Sequence, residues 1–390
     1  MTDSSEQTDS SEQQSSPDIV EIQDSDELSA EDLETLEEPD PEPPYVSYKG
    51  ADFDVEGLVR RLERSDIIIP TFGHALDSPE DSPIVTERFQ RGFVWRKPQM
   101  DRFIESLLLG YPIPGIFLVL QPDKRYLVLD GQQRLRTLAE FYSGVHDGKV
   151  FSLQSVAVKF FGLTYKTLPP EYKRTVDSTF IQATIVETDG SVRTLDAVYQ
   201  VLERLNSGGT QLTPHEIRVA LYAGPFIQVL DRLNSDSNWR GLYGKRSPRL
   251  RDQEVILRAI AFFVTPGTYK RPLKKFLNDF VAAHRYLEDL SPDRIESLFK
   301  RAVELINQSA GPQSLRRQSN QINTALTEAV LVGLMRRLDT DNSITAEAVE
   351  QGISRLRDDK RFDQAISRAT ADEESVRVRL GLANQVFASI

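Results

Sequence analysis

The stretch Tyr126-Leu-Val-Leu-Asp130-Gly-Gln-Gln-Arg134-Leu-Arg-Thr137-Leu changes its hydrophobic pattern abruptly in the middle. Up to Asp130 the residues are apolar and branched, which predicts a buried strand. Beyond Gly131 the apolar positions recur at the spacing of a helix, at Leu135, Leu138 and Phe141 (or Ala139). The chain must therefore pass from strand to helix within residues 130–133. This tight junction constrains the fold more than any other feature.

The junction places chemically useful side chains where a helix begins. The first N–H groups of a helix have no partner inside it and carry the positive end of its dipole, so they can hold a phosphate. Gly131 lets the backbone come close to a ligand, Arg134 can form paired hydrogen bonds with phosphate oxygens, and Asp130 could hold a metal or orient a water. Gln132 and Gln133 add neutral donors and acceptors. The alternative is a capped turn in which Arg134 pairs with a surface carboxylate.

Further motifs occur in a fixed order around this junction. They are Arg88-Phe-Gln-Arg91-Gly-Phe-Val-Trp95, Ile104-Glu-Ser-Leu-Leu-Leu-Gly-Tyr-Pro-Ile-Pro114, Asp130-Gly-Gln-Gln-Arg134 and Leu205-Asn-Ser-Gly-Gly-Thr-Gln-Leu-Thr-Pro-His-Glu216-Ile-Arg218. In this order they resemble the domain of unknown function 262 family, whose members include the N-terminal part of GmrSD-type restriction enzymes. Later segments that begin at Arg251 and Lys274 also resemble that family, so the resemblance covers about residues 50–340.

The family is related to the ParB/sulfiredoxin fold, in which a Gly-x-x-Arg turn binds nucleotide phosphates, and residues 131–134 match that turn. The resemblance implies a domain that binds nucleoside triphosphate and hydrolyses it with Mg²⁺, or another divalent cation, in defence against modified phage DNA. In this interpretation the catalytic residues are Asp130, Gln132, Gln133 and Arg134. The nucleotide contacts are Arg88, Gln90, Arg91, Gly131, Thr137, Asn206, Gly208 and Gly209, and the metal contacts are Asp130, Asn206 and Glu203.

The periodicity predicts an α+β protein in three parts. Residues 1–45 form a disordered acidic tail, residues 50–190 a ParB/sulfiredoxin-like nucleotide-binding domain, and residues 191–390 a helical domain. The middle part is expected to contain helices over residues 55–64, 98–110 and 170–175, and strands over residues 67–70, 116–120, 126–129, 157–161 and 180–187. The last part is expected to be all-α, with helices over residues 192–205, 226–233, 254–264, 273–290, 294–308, 320–338, 346–357 and 374–387.

Charge is distributed unevenly along the chain. Residues 1–45 contain 16 of the 59 acidic residues and no Lys or Arg, and such a segment cannot bury enough apolar surface to offset the entropy of ordering. The remaining residues hold 43 acidic against 47 basic side chains, a formal charge of +4. The overall charge of −12 therefore does not argue against a nucleic-acid partner. The tail either solubilises the protein or masks a basic surface.

Composition also excludes several kinds of site. The chain has no cysteine, so disulfides, thiol catalysis and cysteine metal sites are excluded. No apolar run reaches the ~20 residues of a membrane span, and we expect a cytoplasmic protein without a membrane partner. The sequence shows no His-Asn-His nuclease grouping after residue 220, and its four histidines are far apart: His74, His146, His215 and His284. This indicates that the chain does not cut DNA by itself through that chemistry.

Residues 240–251 hold five cations and no acid, namely Arg240, Lys245, Arg246, Arg249 and Arg251. Such a loop could grip a DNA backbone, or it could simply be solvated. Two other functions stay open besides triphosphate hydrolysis. One is a nucleotide-switched DNA-binding module with little turnover. The other is a nuclease that acts with a partner, which the lack of a dense carboxylate cluster makes the least favoured.

Overall fold

The computed structural model describes residues 47–69, 95–205, 212–317 and 321–390. The predicted acidic tail over residues 1–45 lies outside these ranges. The described residues form an α+β structure in which helices cover both faces of a five-stranded sheet. The predicted fold class is confirmed. None of the described helices is long and apolar enough to cross a membrane.

The sheet consists of β1 (Tyr48–Asp54), β2 (Ile67–Ile68), β3 (Ile116–Leu120), β4 (Tyr126–Asp130) and β7 (Phe180–Glu187). These strands lie in the order β1-β7-β3-β4-β2. The β3 and β4 strands form an antiparallel hairpin, whereas β7 pairs with β3, and β2 with β4, in parallel. Successive side chains of β4 point to opposite faces, so Val128 enters one core while Leu127 and Leu129 enter the other. A separate small hairpin consists of β5 (Val145–His146) and β6 (Lys149–Val150).

Four helices cover the first face of the sheet: α1 (Val55–Glu63), α2 (Lys97–Leu108), α3 (Gln132–Ser143) and α4 (Pro170–Asp177). The Asp54 carboxylate starts α1 by accepting a hydrogen bond of 2.6 Å from Gly57 N. Helix α2 has Pro98 in its first turn, and Gly110 lies just beyond its end with a φ of 68°, as the sequence predicts. The apolar sides of these helices form one core with Ile116, Leu118 and Val128.

The opposite face packs against the helical second half. Leu195 and Val198 of α5 (Val192–Leu205) share a core with Val119, Leu127 and Val186 of the sheet. Beyond β7, the described residues contain helices and an isolated bridge between Arg316 and Ile322, in agreement with the prediction. The further helices are α6 (Pro214–Leu221), α7 (Pro225–Asn234), α8 (Ser237–Tyr243), α9 (Arg251–Val264), α10 (Leu273–Ala283), α11 (Pro292–Gln308), α12 (Thr324–Thr340), α13 (Ala346–Asp358), α14 (Lys360–Ala365) and α15 (Glu373–Ala388).

Three local predictions are wrong. Residues 157–161 form a 3₁₀ turn instead of a strand, because only Phe160 is buried while Val158 and Phe161 are exposed. The α10 helix ends at Ala283 rather than at residue 290. The predicted basic loop begins with α8, which Asp236 caps by accepting hydrogen bonds from the amides at positions 238 and 239. The sequence also fails to predict β1, which is a strand because it pairs along its length with β7.

Candidate functional site

The junction after β4 is a left-handed turn at Gly131. Its φ of 93° lies in a region that disfavours any residue with a side chain. A Cβ atom at this position would lie only 2.5 Å from Ile116 Cγ2. Both the backbone conformation and the neighbouring strand therefore require glycine. The α3 helix then begins at Gln132, where the sequence predicts it.

The start of α3 has open backbone donors. The N-cap residue Gly131 has no side chain that could cap the helix, and a backbone hydrogen bond of 2.9 Å runs from Leu135 N to Gly131 O. The amides of Gln132, Gln133 and Arg134 precede that first bond and have no carbonyl partner within the helix. Together with the helix dipole they form a positive region suited to an oxyanion.

An irregularity in the β3–β4 pairing presents Asp130 beside this helix start. Phe117 pairs with Asp130, but the next residue, Leu118, pairs with Val128, so β4 has one extra residue at this point. Bulges of this kind reorient the neighbouring side chains. Leu129 stays in the core, while the Asp130 side chain is 60% exposed. The carboxylate is thus accessible at the C-terminal end of β4.

Three protein oxygens fix Arg134. Its Nη1 atom donates to Pro114 O at 2.5 Å and to Gly115 O at 2.8 Å, and its Nη2 atom donates to Asp130 Oδ2 at 2.8 Å. Only 12% of the Arg134 side chain is exposed. The guanidinium therefore joins α3 to the loop that precedes β3. Its partner Asp130 is the carboxylate that the capped-turn alternative requires.

The two glutamines connect the helix start to its surroundings. Gln133 Oε1 accepts a hydrogen bond of 3.3 Å from Trp95 N, which brings the last residue of the first motif to the junction. Gln132 Nε2 donates to Val128 O at 3.5 Å. Thr137 is buried, and its hydroxyl donates to Gln133 O at 2.8 Å. The hydroxyl is thus used inside α3, which does not support the predicted nucleotide contact of Thr137.

Other predicted site residues lie elsewhere. Glu203, near the end of α5, accepts hydrogen bonds of 3.0 and 3.2 Å from Lys274 Nζ of α10. Only 9% of the Glu203 side chain and 2% of the Lys274 side chain are exposed. A metal at Glu203 stays a prediction, and the ion pair competes with it. Outside the described residues lie Arg88, Gln90, Arg91, Asn206, Gly208 and Gly209, as does His74.

The start of α6 shows the capping box that the sequence pattern indicates. Thr213 Oγ1 accepts from Glu216 N at 3.1 Å, and Glu216 Oε2 accepts from Thr213 N at 2.6 Å. The same carboxylate lies 3.4 Å from Arg249 Nη2, and both side chains are buried. Glu216 therefore fixes the helix start and a distant segment at once.

A buried charge network follows on α6. His215 Nδ1 accepts from Arg218 Nη1 at 3.3 Å, and the opposite ring nitrogen Nε2 lies 3.1 Å from Gln253 Oε1. Because a guanidinium can only donate, His215 is neutral and carries its proton on Nε2. Burial lowers the pKa of His215 to about 4, an effect that Glu254 partly opposes and Arg218 reinforces. Burial would raise the pKa of Glu254, but Arg258 and Arg218 outweigh it and lower this pKa to about 2.

The cations of residues 240–251 do not form an open strip. Arg240 Nη1 lies 2.9 Å from Asp252, Arg246 Nη1 lies 3.6 Å from Asp231, and Arg249 is buried beside Glu216. These acids lie outside residues 240–251, so the sequence of the loop alone does not predict the ion pairs. The phosphate grip stays a prediction, and three arginines of the loop already face acids of the same protein.

The carboxylate at the junction suits a bridging metal rather than a closed metal site. In the part of the chain that the structure describes, no three His, Cys, Asp or Glu side chains are grouped so that they could hold a metal ion. Asp130 offers one exposed carboxylate beside the helix start. Mg²⁺ is usually bound by one or two carboxylates together with substrate phosphates. Asp130 fits this arrangement.

Sequence reasoning missed the residues that shape the junction from β3. The carbonyls of Pro114 and Gly115 hold Arg134, and the Ile116 side chain leaves no room for a Cβ at Gly131. A Cβ at Gly115 would lie 2.9 Å from Gln182 O, so this loop lies closely against β7. The only sequence signal was the Pro-Gly pair immediately before the strand.

Residues 72–223 match the family model of the GmrSD restriction endonuclease, N-terminal domain. The matched range contains α2 to α6, β3 to β7 and the junction at Gly131. The β1 strand precedes this range, although it pairs with β7 inside it. No curated protein matches the chain. Residues 72–223 are thus similar to a GmrSD-type N-terminal domain, as the order of the motifs predicts.

Proposed function

We propose that the protein binds a nucleoside triphosphate at the Gly131 junction and hydrolyses it with Mg²⁺ or another divalent cation, in the restriction of foreign DNA. The observation that carries the proposal is a helix that starts at a glycine, without a side-chain cap from that residue, beside Asp130 and Arg134. A turn without a side chain lets a phosphate come close to the backbone amides. The matched family supplies the restriction context.

Each residue of the junction has a defined role in this proposal. The amides of Gln132, Gln133 and Arg134 bind phosphate oxygens, and the Arg134 guanidinium, held by the loop before β3, neutralises charge from the side. Asp130 holds the metal, which would neutralise the phosphates and lower the cost of charge that develops on them. The two glutamine side chains orient the attacking water. Catalysis then depends on positioning and charge neutralisation.

The resemblance adds the residues that lie outside the described ranges. We propose phosphate or base contacts from Arg88, Gln90 and Arg91, whose motif ends at Trp95 against Gln133. Contacts from Asn206, Gly208 and Gly209 are proposed on the same ground. The ParB/sulfiredoxin-like fold of this domain stays a prediction.

A second function is favoured by a specific observation. Arg134 and Asp130 already satisfy each other at 2.8 Å, so binding could occur with little turnover, as in a nucleotide-switched module that contacts DNA or a partner nuclease. Since Arg240, Arg246 and Arg249 are held by acids, DNA contacts would have to come from other cations of the basic body.

A nucleotide panel tests both functions. Titration calorimetry of the common nucleoside triphosphates measures binding, and phosphate release with Mg²⁺ or with a chelator measures turnover. Hydrolysis requires binding and metal-dependent release of phosphate, whereas binding without release supports the switch. The proposal is wrong if wild-type protein binds none of the triphosphates.

A further inference from the structure

A cleft of about 680 Å³ lies near the start of β4, at the other end of this strand from Asp130. It is bounded by the β3–β4 turn, the β7–α5 turn, the α6–α7 junction and the segment after α10. The β4 strand begins beside it at Tyr126 and ends at Asp130, so about 13 Å of strand separate the two places. The cleft is therefore distinct from the Gly131 junction. Its volume is in the range of small-molecule sites.

The floor of the cleft is apolar, and its rim is polar. Val119, Leu127, Leu195 and Leu221 supply the buried floor. The rim carries two arginines, Arg125 and Arg285, and two aspartates, Asp123 and Asp189. The formal charges of these four side chains cancel. What the cleft can bind therefore depends on which of their hydrogen-bond donors and acceptors have no partner within the protein.

Both aspartates accept hydrogen bonds from groups of their own turns. Asp123 Oδ2 accepts from Arg125 Nε at 2.7 Å and from Arg125 Nη2 at 2.5 Å. Asp189 Oδ1 accepts from Thr194 Oγ1 at 2.6 Å and from Ser191 N at 2.9 Å. These bonds, first that from Thr194, lower the pKa of Asp189 to about 2 and keep it ionised. Both carboxylates therefore serve the turns.

The arginines have donors left over. Arg285 donates through Nε to Ala223 O at 2.8 Å, and neither of its terminal nitrogens has a protein partner among the described residues. Arg125 Nη1 is buried and likewise has no partner in the described structure. Because buried donors are costly when they stay unsatisfied, a ligand that only accepts hydrogen bonds is favoured. Carboxylates and phosphates are such groups.

Arg285 is held in place before any ligand arrives. Its carbonyl accepts from Phe226 N at 3.2 Å while its Nε contacts Ala223 O, so the α6–α7 junction holds both its backbone and its side chain. A Cβ at Gly224 would lie 2.8 Å from Arg285 Cγ, so a glycine is needed for this close approach. Because the guanidinium is already fixed, ligand binding costs less conformational entropy of the Arg285 side chain.

An aromatic side chain completes the rim. Tyr286 is 62% exposed, and the Arg285 guanidinium lies 5.3 Å from the centre of its ring. An exposed tyrosine next to a fixed guanidinium offers a flat surface on which a planar ring can stack. Together with the apolar floor, this surface fits a ligand with an aromatic body.

We propose that this cleft binds a small aromatic molecule that carries a carboxylate or a phosphate. The oxyanion accepts hydrogen bonds from Arg285 and Arg125, and the ring lies between Tyr286 and the apolar floor. Since the β4 strand runs from the cleft to Asp130, an occupied cleft would brace the strand that presents the Gly131 junction. The ligand site itself does not depend on triphosphate hydrolysis.

Three probes test the site by titration calorimetry on the full chain: inorganic phosphate, benzoate and a panel of nucleoside monophosphates. We expect at least one aromatic probe to bind more tightly than inorganic phosphate. Comparison of benzoate with the monophosphates shows whether the ligand's oxyanion is a carboxylate or a phosphate. Arg285→Met should weaken that binding at least tenfold. The control Arg355→Met removes an exposed arginine of α13 and should leave binding unchanged.

Two more variants separate this site from the Gly131 junction. Tyr286→Ala should weaken the aromatic probes and leave phosphate binding unchanged. Gly131→Ala should leave the probes unaffected, whereas Arg285→Met should leave triphosphate binding unaffected. The proposal is overturned if no probe binds at millimolar concentration, or if Arg285→Met and Arg355→Met bind the probes equally well. Loss of triphosphate binding alone would speak only against the proposed hydrolysis.

Discussion

Asp130 Oδ2 and Arg134 Nη2 lie 2.8 Å apart across the start of α3. The two side chains to which the motif assigns metal and phosphate binding are thus each other's partners before a ligand arrives. In the proposed function a metal–triphosphate unit would engage both, because it would offer a cation to Asp130 and anionic oxygens to Arg134. The free protein meanwhile avoids an uncompensated charge at the edge of the sheet.

Replacement of Arg134 tests its double role. Arg134→Ala should weaken triphosphate binding by about 1.5–3 kcal/mol, the typical contribution of a charged hydrogen bond. It should also lower the melting temperature, because the carbonyls of Pro114 and Gly115 lose their donor. Calorimetry and thermal unfolding measure the two effects. The exposed Arg102 of α2 provides a control, since Arg102→Ala should change neither quantity. Triphosphate binding at the wild-type level in Arg134→Ala would contradict the phosphate role.

The two glycines that flank α3 form a matched pair. Gly131 and Gly144 both have positive φ, 93° and 81°, but a Cβ would collide with Ile116 at Gly131 and meet nothing within 4 Å at Gly144. Gly144→Ala should therefore cost only about 1–2 kcal/mol of unfolding free energy for the backbone conformation. Gly131→Ala should add about 1–3 kcal/mol for overpacking and lose triphosphate binding. Denaturant unfolding measures the loss of stability, and calorimetry measures triphosphate binding. Equal effects of the two variants on both quantities would contradict the requirement for glycine at the junction.

His215 should make stability depend on pH. Its pKa is lowered to about 4 in the folded protein from an ordinary value of 6.5, so the unfolded chain binds more protons between these values. The stability that neutral His215 contributes is complete above pH 6.5 and is lost as pH falls toward 4. Denaturant unfolding across this range should show a falling free energy for wild-type protein and a flatter curve for His215→Gln. Parallel curves would mean that other groups control the slope.

The local backbone structure of the junction could be predicted from the sequence because it depends on consecutive residues. The change from apolar strand to helical spacing located Gly131, and the glycine required there follows from the turn itself. Neither the edge strand β1 nor the partners of Arg134 can be predicted from the local sequence. The β1 strand exists because β7 offers it a pairing edge more than a hundred residues later, and Pro114 reaches Arg134 only after β3 and β4 have paired.

The basic loop shows the same limit for charge. Read as a run, Arg240 to Arg251 contains no acid, yet in the fold Arg249 faces Glu216 at 3.4 Å and Arg240 faces Asp252 at 2.9 Å. An ion pair forms between segments that the tertiary structure brings together, so a local count of charge overestimates the open positive surface. The His215 network was hidden for the same reason, since its partners come from three different helices.

Asp130→Asn separates hydrolysis from a switch. In the proposed site the Asp130 carboxylate would repel a triphosphate unless a cation lay between them, so the proposal assigns it to metal binding or water activation. Asparagine keeps the shape, and its amide oxygen can still accept from Arg134, so the fold should be retained. If the protein is an enzyme, the variant should lose Mg²⁺-dependent phosphate release, while triphosphate binding without metal stays equal or improves. If it is a switch, wild-type turnover is already negligible, and only the metal dependence of binding changes.

Asp358→Asn, at an exposed position of α13, is the control. Wild-type turnover and metal dependence in Asp130→Asn would make Asp130 a structural partner of Arg134, and the catalytic carboxylate would then have to be sought at Glu203 or Glu216.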